Sequence, residues 1–170
     1  MSSLVILNLQ TIMAFGAYVV IYRIYLRSWF ATQPFPQAVL PLLLINTFRY
    51  MGLAAMVPGQ LEPTIPFRAL QVIGWGDFAA GTSALLAAIA VHHRWTAATT
   101  LVGLFTIIGF ADVIAVGYTA SAAEIFESNM GTQWFVSVFY APAFLLSQGY
   151  IAYRLVGHLR ASRANSISPN

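Results

Sequence analysis

Two aspartates and one arginine fall inside stretches that are otherwise apolar. Asp112 lies in Ile107-Ile108-Gly109-Phe110-Ala111-Asp112-Val113-Ile114-Ala115, and Asp77 in the similar Ile73-Gly74-Trp75-Gly76-Asp77-Phe78-Ala79-Ala80. Arg49 is set comparably deep in a third apolar run, three residues after Asn46 and on the same helical face. An ionisable group in hydrocarbon is expensive and marks a functional site by default.

Three kinds of chemistry fit these residues. Arg49 and Asp77, backed by Asn46, can form an intramembrane ion pair that fastens two helices together. A second carboxylate exceeds the single arginine, and Asp112, left without a partner, could take up and release a proton or cation as part of transport. Two carboxylates could also do acid–base work on a lipid or isoprenoid substrate. The enzymatic reading ranks last, because no nucleophile or metal-ligand motif accompanies them. The repeat of the Asp motif lies on neighbouring antiparallel segments and is formally inverted. Transporter repeats extend over several helices, so one helix each supports close packing more than a twofold mechanism.

Composition fixes the setting. The chain of 170 residues is 59% hydrophobic and 8% charged, against about 25% charged in a soluble domain. Mean hydropathy is +0.73. The expected class is an all-α integral membrane protein in one domain, and continuous rather than alternating apolar runs argue against a β-barrel. All eight basic residues are arginine, so a lysine Schiff base is excluded, and the absence of cysteine excludes thiolate chemistry and disulfides. The arginines cluster at segment ends, which reads as an orientation signal and not as a nucleic-acid surface. His92 and His93 are adjacent and point about 100° apart on a helix, so they do not chelate. No metal or cofactor is expected.

Five segments must position the polar residues, at about 4–26, 38–57, 67–91, 96–119 and 133–156, within a transmembrane domain covering 1–160. Residues 161–170 read as a disordered basic and polar tail. Gln33-Pro34-Phe35-Pro36 breaks the first loop and Pro58-Gly59 ends segment two. Gly74, Asp77 and Gly81 form a stripe of small residues around one carboxylate, suited to close helix approach. Pro142 predicts a kink in segment five. Ser137, Tyr140, Ser147, Gln148 and Tyr150 give that segment a polar face. Glu62 and Arg68 are placed to pair at the surface.

With five helices, Arg23, Arg27, Arg94, Arg154, Arg160 and Arg163 fall at one end, and Glu62, Arg68, Glu124 and Glu127 at the other. The positive-inside rule then gives the N-terminus outside and the C-terminus inside, in a bacterial-type inner membrane. Counting from segment ends puts Arg49 about 17 Å from the inner side, Asp77 about 15 Å from the outer side and Asp112 about 24 Å from the inner side. Arg49 and Asp77 are thus level and expected to pair, with Asp112 nearer the outer surface.

The functional expectation is a small membrane protein that binds or transports a proton, ion or small polar solute. Its site comprises Asn46, Arg49, Asp77 and Asp112, with Trp75 lining a cavity or stacking on Arg49, and Gln148 supplied by segment five. The expected surroundings are the lipid bilayer and either a homo-oligomer or a partner membrane subunit, with no nucleic acid. The alternative is a non-catalytic accessory subunit whose polar faces meet a partner.

Overall fold

The structure, a computed structural model, describes the backbone of residues 2–167 and side chains to residue 164. All regular secondary structure among the described residues is helical. Five helices are long and apolar enough to cross a membrane: α1 (Ser3–Thr32), α2 (Phe35–Met56), α3 (Phe67–His92), α4 (Ala98–Ala122) and α5 (Gln133–Ala164). By length and composition they mark a multi-pass membrane protein.

Helix ends differ from the sequence expectation in ways with local causes. Residues 27–32, expected in a loop, continue α1 because nothing before Pro34 breaks it; the continuation passes through a π turn at Tyr22–Leu26. Its last carbonyls, orphaned as at any helix C-terminus, are met by Arg154, which donates to the carbonyls of Phe30 at 2.7 Å and Gln33 at 2.6 Å. Pro34 then serves as the residue preceding α2, and Pro36 occupies its first turn, where a missing N–H costs little. In α5, a π turn at Val136–Tyr140 stands immediately before Pro142, so the local break expected at that proline takes the form of a register change. Of the segment expected as a disordered tail, residues 161–167 have helical backbone continuous with Ala141 onwards, and the Ser162 hydroxyl donates back to the His158 carbonyl at 3.0 Å. Residues 168–170 of that tail lie outside the described residues.

α2 changes character halfway. Phe35–Thr47 is α-helical, and Phe48–Met56 is a nine-residue 3₁₀ stretch, long for a form that rarely exceeds three or four residues. α3 and α4 form the expected tight hairpin, closed at Arg94 in the left-handed region (φ 55°). At the opposite end, the loops after α2 and α4 are pinned together. The Glu62 N–H donates to the Asn129 carbonyl at 3.2 Å, and the Asn129 N–H to the Glu62 carboxylate at 3.2 Å. Glu62 is therefore engaged with Asn129 and forms no ion pair with Arg68.

Two apolar clusters fill the interior, one at each end. The arginine-rich end packs Phe35, Val39, Leu43, Ala84, Ala88, Val91, Phe105 and Ile151; the glutamate-rich end packs Leu7, Ala55, Leu61, Ala69, Ala120, Ile125 and Val138. On every helix from α2 to α5, the residues between these two sets carry the polar groups. α1 lies at the periphery, with Leu7 and Phe30 its buried residues among those described.

Candidate functional site

The guanidinium of Arg49 is the hub of the middle layer. Its Nε donates to Asp77 Oδ1 at 3.1 Å, its Nη1 to Gln148 Oε1 at 3.0 Å, and its Nη2 to Asp112 Oδ2. Four helices thus meet on one side chain: α2 supplies the arginine, α3 and α4 one carboxylate each, and α5 the glutamine. Arg49 is 4% exposed, the Asp112 side chain 3% and the Asp77 side chain 17%. Beside this hub, Asn46 Nδ2 donates to Ser147 Oγ and to the Leu42 carbonyl, both at 2.8 Å, and the Ser147 hydroxyl donates to Phe144 at 3.0 Å.

The expected difference in depth between Asp77 and Asp112 is corrected. Arg49 lies 14 positions past the start of α2 at Phe35, Asp112 lies 14 positions past the start of α4 at Ala98, and Asp77 lies 15 positions before the end of α3 at His92. At 1.5 Å per residue all three stand about 21–23 Å from the same end. Displaced helix boundaries produced the earlier offset. Asp112 is consequently paired with Arg49, and it is the better buried of the two carboxylates.

Trp75 is a second correction. It is 56% exposed, and the ring contact it makes is an edge contact with Phe78 at 5.9 Å. Two residues along a helix is about 200° of rotation, so an inward Asp77 turns Trp75 outward. His92 and His93 also sit outside the core, and among the described residues no three His, Asp or Glu side chains gather as metal ligands.

Glycines shape the cluster. A Cβ on Gly52 would overlap the Asp77 carboxylate, and one on Gly76 would overlap that of Asp112. A Cβ on Gly109 would lie 2.8 Å from both terminal atoms of Gln148. Gly81 faces the backbone of α2, where a Cβ would stand 2.9 Å from the Thr47 carbonyl oxygen and 3.1 Å from the Tyr50 nitrogen. Gly52 and Ser147 are the participants that sequence reasoning did not single out for the site. The position of Gly52 three residues after Arg49 was the available signal.

The charge count is unbalanced. One guanidinium faces two carboxylates in an interior otherwise lined by neutral groups. Three buried polar atoms in the same layer have no protein partner: Asp112 Oδ1, Gln148 Nε2 and Asn46 Oδ1. A buried polar atom without a partner is costly, so the layer has unused capacity for a proton, a small cation or water.

These features define a class: a multi-pass helical bundle with a buried Arg–Asp–Asp polar layer between two apolar ones. The chain belongs to the family described as Domain of unknown function (DUF8737), whose model matches residues 6–156 and so takes in the whole polar layer. No curated protein and no solved structure matches the chain.

Proposed function

We propose that this is a membrane transport or ion-binding protein in which the Arg49–Asp77–Asp112 layer takes up one proton or one small monovalent cation per protomer. The observation that carries this reading is the count of two carboxylates on one buried guanidinium. With both aspartates ionised the layer holds one uncompensated negative charge, which hydrocarbon strongly disfavours. One bound positive charge neutralises it.

Segregation of the arginines from the glutamates supports an N-terminus outside and a C-terminus inside, in a bacterial-type inner membrane. The 3₁₀ stretch supports movement: mid-helix 3₁₀ segments often mark hinges, and this one carries Arg49. A shift of α2 would loosen the guanidinium from the carboxylates and open access to them. A homo-oligomer would supply a longer pathway than five helices enclose.

The accessory-subunit alternative draws less support, because Asp112, Ser147 and Gln148 are already covered within one protomer. The enzymatic alternative requires a lateral opening that reaches the carboxylates. The apolar cleft between α1, α2 and α5 is lined by Ser147, but by neither aspartate. The test is pH-gradient-driven and cation-gradient-driven flux in proteoliposomes. Wild type should carry one of the two, and Asp112→Asn, which removes the excess carboxylate and keeps an oxygen for Arg49, should abolish it. Equal flux in wild type and variant, or none above empty liposomes, overturns the proposal.

A further inference from the structure

Towards the arginine-rich end, two neighbouring cavities are bridged by the hydrogen bonds of one residue. The first, about 470 Å³, is an open cleft between α1, α2 and α5, walled by Tyr18, Tyr22, Phe30, Leu42, Leu146 and Gly149. It follows α1 from Tyr18 to Phe30, a rise of about 18 Å, close to the depth of one leaflet of a core about 30 Å thick. The second, about 770 Å³, is walled by Phe35, Tyr153, Arg154, Gly157, His158 and Arg160. Arg154 joins them. It lines the second cavity, while its guanidinium donates to the Phe30 carbonyl and, at 3.1 Å, to the Tyr150 hydroxyl, both residues of the first.

Among the described residues, no acidic side chain forms an ion pair with Arg154 or Arg160 of the second cavity. The five acidic residues of the chain are Glu62, Asp77, Asp112, Glu124 and Glu127. Two are held by Arg49 and three lie at the opposite end. Arg154 bonds only neutral oxygens. The cavities are also left open by sequence: a Cβ on Gly149 or on Gly157 would touch nothing within 4 Å. Glycine inside a helix is less stable than alanine by about 0.5–1 kcal/mol, and no protein contact requires it at either position.

We propose that the two neighbouring cavities together bind one anionic phospholipid of the inner leaflet, with its phosphate against Arg154, His158 and Arg160 and one acyl chain in the cleft along α1 and α5. A basic pocket between helix ends on the inner side suits such a headgroup, and a neighbouring apolar cleft of leaflet depth favours a lipid over a free anion. The inference rests on the bundle lying in a bilayer with its arginine-rich end inward; it is independent of the Arg49 layer.

Native mass spectrometry of the protein in mild detergent, titrated with phosphatidylglycerol or phosphatidylcholine, tests it. Wild type should retain one phosphatidylglycerol per protomer at concentrations where phosphatidylcholine is lost, a preference of about tenfold or more. The double variant His158→Gln/Arg160→Gln should lower phosphatidylglycerol retention about fivefold, near the value of one basic residue at a membrane surface. Gly149→Leu, filling the cleft, should lower it further, while Gly117→Leu, on α4 and away from both cavities, should not. Equal retention of the two lipids by wild type overturns the proposal without recourse to any variant. So does unchanged retention by Gly149→Leu, or displacement of phosphatidylglycerol by inorganic phosphate at comparable concentration. Flux through the Asp112 site does not enter this readout, so failure here and failure of the transport reading are separate results.

Discussion

Replacing Arg49 by methionine keeps most of the side-chain volume and removes the charge that joins four helices. Three charge-assisted hydrogen bonds disappear, two of them ion pairs, and two carboxylates are left facing each other in a layer where Arg49 was 4% exposed. Removing one member of a buried ion pair costs about 3–5 kcal/mol, because the remaining charge is desolvated and unpaired. For a chain of this size that converts to a fall in Tm of about 6–20 °C, at about 2–4 °C per kcal/mol. Asp112→Asn behaves differently. It leaves a one-to-one Arg49–Asp77 pair, and the asparagine oxygen can still accept from Nη2, so its cost should stay below about 1 kcal/mol. The triple variant Arg49→Met/Asp77→Asn/Asp112→Asn leaves no unpaired buried charge, the main source of the Arg49→Met loss. It should recover most of the loss, a strongly non-additive result expected only of groups in contact. Thermal unfolding in detergent, followed by circular dichroism, reads all three. An Arg49→Met variant that melts with wild type, or a triple variant no more stable than Arg49→Met, refutes the reasoning.

Gly81→Val places a branched side chain against the α2 backbone, with the Cβ 2.9 Å from the Thr47 carbonyl oxygen; overpacking of this kind costs about 1–3 kcal/mol, seen as a lower melting temperature. Gly117→Ala adds a methyl where nothing lies within 4 Å and should raise stability by about 0.5–1 kcal/mol in the same assay. Gly76→Ala drives its new methyl into the Asp112 carboxylate and displaces it from Arg49. It should therefore reproduce the flux defect of Asp112→Asn while leaving the helical circular dichroism spectrum intact, and wild-type flux would contradict that.

Five apolar segments, their charged ends and the polar residues between them were legible because hydrocarbon leaves little latitude: twenty or so apolar residues must be helical, and each charge inside them is conspicuous. Vertical position was less legible. It depends on where each helix starts, and the true start of α2 at Phe35 rather than Ala38 is enough, with the start of α4 at Ala98, to bring Arg49 and Asp112 level. A proline-rich loop sets a boundary only to within a few residues, and each residue is about 1.5 Å of depth. Trp75 was placed by proximity in sequence to Asp77, whereas helical rotation decides which way it faces. The 3₁₀ stretch in α2 was not legible, since nine residues, Phe48–Met56, are too few to tell a period of 3.0 from one of 3.6.

The glycines explain why the two aspartate motifs look alike. α2 offers Gly52 to Asp77 of α3, α3 offers Gly76 to Asp112 of α4, and α4 offers Gly109 to Gln148 of α5. Each helix gives up a side chain so that the polar group of the next helix can lie flat against its backbone, and all three polar groups then converge on Arg49. A glycine and a carboxylate in the same motif therefore serve different neighbours: Gly76 accommodates Asp112, while Asp77, its neighbour in sequence, is accommodated by Gly52. The resemblance between the segments arises from this stepwise hand-over between consecutive helices, which requires a small residue and a polar residue on each inner helix and implies no twofold axis. It also leaves the layer little room to rearrange by side-chain motion alone, because every carboxylate is backed by main chain. Under the proposed function, uptake or release of charge at Asp77 or Asp112 would require movement of a helix, and α2, which carries the arginine on its 3₁₀ turns, is the one whose movement would release both carboxylates at once.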